Sequence, residues 1–342
     1  MMEKEKFEIC EPDDSINIYE LRSGKYQKKD LLGEGSFGRV LLVEKIDGID
    51  KNQLSGQIGS NFFALKISKR IKINGKNEKK RETKELTFIE LRELNILTNI
   101  LHVNLLHCLD FKLCNEESWI LMEYYPNDLG KFFKENINNP KFMNEEFLKS
   151  IALQILTGVN YMHENMYMHR DLKLENILYD EKNNIVKIGD FGLSRPYDFD
   201  CNSRYTDVGT LPYKSPELLL GMPNYSISVD IWSLGCILAE ICIGGKIFGD
   251  NSDIGVLKLI ISIFGPFDDE KLPGYKNFPL SKRLENLKDQ KEIGLVQFIK
   301  KRKKFEFKND DFFDLLKHML CINPIQRFSA QKCLSHRWLE SK

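Results

Sequence analysis

Residues 168 to 176 read Met168-His169-Arg170-Asp171-Leu172-Lys173-Leu174-Glu175-Asn176. They gather a carboxylate, cationic side chains and an amide within one short loop. Asp171 is a candidate to orient a hydroxyl nucleophile, Lys173 to neutralise a phosphate, and Asn176 to offer a hard oxygen to magnesium. These are groups that phosphoryl transfer uses, because positioning and charge neutralisation carry most of that catalysis. Such a loop needs partners elsewhere in the chain.

Downstream, Ile177-Leu178-Tyr179 and Val186-Lys187-Ile188 flank Asn183-Asn184 and predict a hairpin. It delivers Asp190-Phe191-Gly192. Alone, that tripeptide is a common turn. Placed after Asn176, it offers Asp190 as a second oxygen ligand for magnesium. The loop resembles the catalytic loop of eukaryotic protein kinases, His-Arg-Asp-Leu-x-x-x-Asn, and Asp190-Phe191-Gly192 resembles their metal-binding turn. The resemblance implies ATP and magnesium as cofactors, with Asn176 and Asp190 as metal ligands.

The stretch Arg204 to Glu217 resembles a kinase activation segment, with Ser215-Pro216-Glu217 where Ala-Pro-Glu is usual. It implies that Thr210 helps fix Asp171 and Lys173, so Asp171, Lys173, Asn176 and Thr210 form the catalytic set. Thr206 is the preferred phosphorylation site, with Tyr205 and Ser203 behind it, and Arg170 could pair with the phosphate through two parallel hydrogen bonds. An ordinary exposed polar loop would also account for these three hydroxyls. Ser228 to Ile241 is apolar on most faces and predicts a buried central helix, in which Asp230 must be hydrogen-bonded. In kinases the matching aspartate holds the catalytic loop. Arg327 stands where kinases pair an arginine with the counterpart of Glu217.

Upstream of the loop, Asn144 caps a predicted helix whose apolar positions Phe147, Ile151, Ile155, Val159 and Met162 recur about every four residues. Before it, Trp119 to Leu129 reads as a strand stopped by Pro126. A strand and turn account for it, and it also resembles a kinase hinge: Met122, Glu123, Tyr125 and Asp128 would then meet the nucleotide. Ile89, Glu93, Ile96 and Leu97 follow helical spacing. A glutamate on that face needs a cation, and Lys66, the single charge in Phe62-Phe63-Ala64-Leu65-Lys66-Ile67, is the candidate. Arg92-Glu93 resembles the end of the cyclin-binding helix of cyclin-dependent kinases, although the residues before it depart from that helix.

Between two strand-like runs lies Leu32-Gly33-Glu34-Gly35-Ser36-Phe37-Gly38-Arg39-Val40. A Gly-x-Gly-x-x-Gly loop lets backbone amides approach phosphates. A plain hairpin turn would explain it as well. A dinucleotide fingerprint would lead into a helix, whereas this chain continues as a strand. The kinase resemblance implies nucleotide contacts from Leu32, Gly33, Gly35, Ser36, Phe37, Gly38, Val40 and Ala64, with Lys66 on the phosphates and Glu93 fixing it.

Nine such motifs occur in the kinase order from Gly33 to Arg327. The expected fold is therefore α+β and bilobal: a small, mainly antiparallel N-lobe with one key helix at 26–125 and a larger, mainly helical C-lobe at 126–342. Residues 1–25 read as an extension, and about 246–310 as an insert resembling that of cyclin-dependent and mitogen-activated kinases. Lys173 and Thr210 resemble the serine/threonine branch. Three residues depart from the cyclin-dependent subgroup: Leu174 replaces a frequent proline, Lys214 stands where an arginine shapes proline selectivity, and Phe37 replaces an inhibitory-site tyrosine.

Composition narrows the partners. Fifty basic and fifty acidic residues leave no net charge to draw the chain to nucleic acid or membrane. No apolar run is long enough to span a bilayer, and the charged N-terminus does not read as a secretory signal. Eight scattered cysteines without a Cys-x-x-Cys pair read as reduced structural thiols. The basic stretches 69–84 and 300–304 read as solvated surface, with docking to an acidic partner or nuclear import as the other uses. The expected protein is a cytoplasmic or nuclear serine/threonine kinase with a protein substrate and a cyclin or other activating subunit. The alternatives are a scaffold using the fold without chemistry and a kinase of another serine/threonine group without cyclin dependence. Such scaffolds usually lack one of the lysine, catalytic aspartate or metal aspartate, and Lys66, Asp171 and Asp190 are all present.

Overall fold

The computed structural model describes residues 17–35, 38–47, 61–69, 88–114, 117–197, 208–308 and 310–340. The chain divides into two compact units, one of residues 1–101 and 106–126, the other of residues 102–105 and 127–342.

The first unit is a six-stranded antiparallel sheet of β1 (Ile18–Leu21), β2 (Gly24–Gly35), β3 (Gly38–Lys45), β4 (Phe62–Lys69), β5 (Cys108–Leu113) and β6 (Glu117–Glu123), with helix α1 (Phe88–Asn99). Strand order is β1-β2-β3-β4-β6-β5. Alternation puts Leu65 and Ile67 of β4 into a core with Tyr26, Leu41, Trp119 and Leu121. The end of the stretch read as an extension belongs to this sheet. Tyr19 and Leu21 of β1 are buried, and Ser23 in the β1–β2 turn donates to Asp110 Oδ2 on β5 from its N–H (2.7 Å) and its hydroxyl (2.6 Å). Gly38 sits at φ +128°, and a Cβ there would lie 2.1 Å from the Ile67 carbonyl oxygen, so no other residue fits without moving backbone.

The second unit holds β7 (Asn127–Asp128), α2 (Leu129–Asn136), α3 (Glu145–Glu164), β8 (Tyr167–Met168), β9 (Ile177–Asp180), β10 (Ile185–Ile188), β11 (Arg195–Pro196), α4 (Pro216–Leu219), α5 (Ser228–Ile243), α6 (Asp253–Phe264), α7 (Leu295–Lys300), α8 (Asp311–Met319), α9 (Ala330–Leu334) and α10 (Arg337–Glu340). The expected cap is present: Asn144 Oδ1 accepts from Phe147 N at 2.8 Å, and α3 runs on with Ile151, Ile155, Val159 and Met162 buried. The expected hairpin is β9–β10, in which Ile177 pairs with Ile188. Helix α5 is buried along nearly its whole length. Cys236 and Cys242 lie within it as free thiols, and burial pushes the Cys242 thiol up to about 12. The region read as an insert carries α6, α7 and short 3-10 turns. In its basic run the exposed Lys300 pairs with the exposed Asp310, a surface pair that adds little stability, and the largely covered Lys303 pairs with the exposed Glu306. Among the described residues no helix is long and apolar enough to cross a membrane.

Candidate active site

The sheet register gathers several of the expected nucleotide contacts. Gly33 pairs with Val40, Val40 with Lys66, and Ala64 with Met122. Direct antiparallel partners share a sheet face, so Val40, Ala64, Lys66 and Met122 lie on the face opposite the buried Leu65 and Ile67. Lys66 Nζ meets Glu93 Oε1 of α1 at 2.5 Å, with side chains only 12% and 6% exposed. The predicted lysine–glutamate pair is thus present. Leu32, at the β2 irregularity, is exposed. Gly35 pairs with Gly38 to close the turn, while Ser36 and Phe37 lie outside the described residues. Glu123 ends β6, buried and 3.7 Å from His107 Nε2; Tyr125 is also buried. In the second unit Asp128 accepts from Lys131 N at 2.8 Å and caps α2.

The loop between β8 and β9 arranges its charges around one carboxylate. Asp171 Oδ1 accepts from the Thr210 hydroxyl at 2.7 Å. Its Oδ2 lies 3.0 Å from Lys173 Nζ and accepts from Asn176 Nδ2 at 3.1 Å. Lys173 also donates to Thr210 Oγ1 at 3.2 Å, closing a ring of charge-assisted bonds. Asn176 Nδ2 additionally reaches the Asp171 carbonyl at 2.8 Å. Both of its partners only accept, so the amide nitrogen is committed to Asp171 and Oδ1 is left as a hard oxygen donor. Gly189 N donates to the Asn176 carbonyl at 2.9 Å, which fixes Asp190 one residue from this loop. Asp190 is exposed and left-handed at φ +57°, while Phe191 beside it is buried against His169. An amide oxygen and a carboxylate suit a divalent cation that phosphates and water complete. Among the described residues no cluster of three His, Cys, Asp or Glu side chains could hold a metal alone.

Asp230 of α5 anchors the loop from below. At 1% exposure it accepts from Arg170 N at 2.8 Å, His169 N at 2.9 Å and His163 Nε2 at 2.9 Å. Burial alone would push its carboxyl up, but the His163 hydrogen bond and charge, the charge of His169 and the Arg170 N–H together hold it below the ordinary value. The backbone it grips is unusual, since Arg170 has φ +69°. The Arg170 guanidinium donates from Nε to the Leu193 carbonyl and from Nη1 to the Tyr225 hydroxyl, both at 2.8 Å. Thr206, Tyr205 and Ser203, its expected phosphate partners, lie outside the described residues.

Beyond Thr210 the chain is locked into the body of the second unit. Glu217 and Arg327 form a bidentate pair at 2.7 and 3.0 Å, both side chains essentially unexposed. Lys214 is buried, its ammonium 3.8 Å from Asp253 at the start of α6. The Tyr213 hydroxyl donates to Glu240 Oε2 at 2.5 Å, and burial pushes the Glu240 carboxyl up. This last pair and the His163 contact were not anticipated. Both join residues far apart in sequence, and the one available signal was a polar residue beside the apolar positions of a helix.

Ser215, in the position where alanine is usual, is fully buried, and its hydroxyl has no hydrogen-bond partner among the described residues. A buried hydroxyl left unpaired costs about 1–3 kcal/mol. Ser215→Ala is therefore expected to raise unfolding stability by roughly 1 kcal/mol, measured from urea midpoints at constant slope. A loss of stability on that substitution would show that the hydroxyl is bonded after all.

Comparison with known proteins agrees with this geometry. The family described as "Protein kinase domain" matches residues 26–339. Cyclin-dependent kinase 1 of Encephalitozoon cuniculi is 30% identical over 316 residues, 92% of this chain and 96% of its own. Cyclin-dependent kinase 11 of Dictyostelium discoideum is 35% identical over 313 residues, 91% of this chain and 79% of its own. Cell division control protein 2 homolog 3 of Trypanosoma brucei brucei is 33% identical over 329 residues, 92% of this chain and 91% of its own.

Proposed function

Because the chain belongs to the protein kinase family and groups there with the cyclin-dependent kinases, we propose that it transfers the ATP γ-phosphate to serine and threonine hydroxyls of proteins, with Asp171 as the residue that orients the acceptor. The observation that carries this assignment is the Asp171 carboxylate bonded at once to Lys173, Thr210 and Asn176.

In this mechanism Asp171 accepts a hydrogen bond from the incoming hydroxyl and directs its oxygen at phosphorus. Thr210 holds the carboxylate in orientation, and Lys173 offsets negative charge on the group in transfer. Lys66, kept in place by Glu93, binds the α and β phosphates. The glycine-rich stretch, including Ser36 and Phe37, covers them, while Leu32, Val40, Ala64 and Met122, the backbone of Glu123 and Tyr125, and Asp128 receive the nucleoside. Asn176 Oδ1 and Asp190 are suited to hold magnesium, which when bound neutralises phosphate charge. The partners are a protein substrate and a cyclin or comparable activating subunit, in cytoplasm or nucleus. Phosphate on Thr206, or on Tyr205 or Ser203, would engage Arg170.

The test is phosphorylation of a peptide library by the purified chain, alone and with candidate cyclins. Magnesium-dependent transfer to serine and threonine, stimulated by a cyclin and favouring proline after the acceptor, is the expected result. Full activity without a partner would remove the cyclin requirement. Indifference to proline would trace to Lys214, and no transfer in any combination would leave a scaffold.

A further inference from the structure

We infer that the second unit carries a binding site, separate from the active site, for a medium-chain alkyl carboxylate. The site is a cavity of about 330 Å³ at the end of α6, walled by Ile263, Phe264, Leu295, Leu320 and Ile322. That volume and apolar lining suit a small ligand, for which pockets of roughly 300–1,000 Å³ with a few placed polar groups are usual. The region read as an insert builds one side of it. Ile293 N and Gly294 N donate to the Ser262 and Ile263 carbonyls at 2.9 and 3.0 Å, which seats the start of α7 beside the end of α6. The end of α8 and the turn after it close the other side. At one edge the Lys271 ammonium donates to the Phe264 carbonyl at 2.8 Å and lies 3.9 Å from Glu292, so these two charges offset each other.

The hydrogen-bonding groups of the wall set the polarity of the ligand. Its carbonyls are occupied: Cys321 and Ile322 accept from Arg327 Nε and Nη2, Asn323 from the Gln326 and Arg327 N–H groups, and Ile263 and Phe264 from Gly294 and Lys271. Its side-chain donors are not. Asn323 lines the cavity at only 7% exposure; its Oδ1 accepts from Ile325 N at 3.0 Å, and its Nδ2 has no partner among the described residues. A buried amide with both hydrogens unused calls for an acceptor. Lys317, in the last turn of α8, also lines the cavity and has no hydrogen bond or ion pair among the described residues. The cavity therefore combines an apolar body, a buried N–H donor and one uncompensated positive charge. A carboxylate only accepts and carries the opposite charge, so it answers both polar groups while its alkyl chain fills the rest. An alcohol leaves the charge unmet, and an amine sets cation beside cation.

The experiment uses the purified full chain without nucleotide or protein substrate, so its outcome is independent of the reaction proposed above. Hexanoate, octanoate and decanoate are titrated by calorimetry, each below the concentration at which it self-associates, with octanol and octylamine as the uncharged and cationic counterparts. The carboxylates should bind saturably, one per chain, tightening about fourfold per added methylene until the cavity is full. Octanol should bind more weakly and octylamine not at all. Asn323→Asp keeps the acceptor for Ile325 N but exchanges the unused donor for a negative charge, and should weaken octanoate at least roughly tenfold. Lys317→Met removes an exposed ammonium, should weaken octanoate roughly threefold to fivefold, and carries the test should Asn323→Asp not fold. Cys321, a partly exposed free thiol of the cavity wall, reports the location: saturating octanoate should slow its alkylation by iodoacetamide, read by peptide mass spectrometry. Absence of saturable binding, equal affinity for octanol or octylamine, unchanged octanoate affinity in the folded variants, or an unprotected Cys321 at saturation each overturns the inference.

Discussion

Asp171→Asn should give a folded chain that binds ATP yet loses about 10²–10⁴-fold in kcat, the range general-base and positioning groups contribute. The carboxylate has three side-chain partners, and all three present hydrogens to it: the Thr210 hydroxyl at 2.7 Å, the Asn176 amide at 3.1 Å and the Lys173 ammonium at 3.0 Å. An amide at this position must turn its own NH₂ toward one side of that ring. Facing Lys173 and Asn176, it sets donor against donor. Facing Thr210, it meets an oxygen that already accepts from Lys173. Either way the charge that directs an incoming hydroxyl is gone, and Lys173 loses its counter-ion. The backbone bonds of Arg170 and His169 to Asp230 do not involve the substituted group, so the loop persists. Lys66 and Glu93 are likewise untouched, and nucleotide affinity should match wild type. Near-normal phosphorylation of a peptide substrate by Asp171→Asn would sink the assignment.

The parts of this site that were legible in sequence are those whose chemistry is local. Asp171, Lys173 and Asn176 lie within one turn of chain, so residue types and spacing alone express a carboxylate, a cation and a metal-ligating amide. Lys66 and Glu93 are 27 positions apart, yet one interrupts an apolar strand run and the other an apolar helix face, and burial of one demands the other. Strand β1 was not legible. Its Ile-Tyr-Glu-Leu is short, and the bond from Ser23 to Asp110 that secures its hairpin spans 87 residues. The same holds for His163 and Asp230, 67 residues apart, where α3 and α5 each supply one partner. Apolar periodicity places Met162 inside but says nothing of what its polar neighbour faces. Ser215 is a third kind of case. A small residue was readable there, but whether its hydroxyl finds an acceptor depends on the packing of α4 and α5, which no local pattern encodes.

Arg327→Met should cost about 3–5 kcal/mol in unfolding free energy, the largest stability effect expected of any single substitution here. The guanidinium spends all five of its N–H donors: Nη1 on Glu217 Oε1 and the Ser228 carbonyl, Nη2 on Glu217 Oε2 and the Ile322 carbonyl, and Nε on the Cys321 carbonyl. It also lies over the ring of Trp232, 5.2 Å from its centroid. Methionine fills comparable volume but leaves Glu217, 1% exposed, as an uncompensated buried charge. Domains of ordinary stability hold only about 5–15 kcal/mol in total, so the variant should be partly unfolded or readily proteolysed near physiological temperature. Adding Glu217→Gln to Arg327→Met removes the stranded charge, and the double variant should be less destabilised than the sum of the two singles. That recovery distinguishes a stranded charge from simple loss of packing, because a packing defect would persist in the double variant. Denaturant midpoints at constant slope supply the measurement, and a loss below about 1 kcal/mol for Arg327→Met would refute the assignment. The functional consequence follows from where the pair sits. Glu217 lies in the first turn of α4, directly after the segment that carries Thr210, and Ser228 begins the helix that carries Asp230. Arg327 thus ties both supports of Asp171 to one point, and weakening it should lower activity at temperatures where most of the chain is still folded.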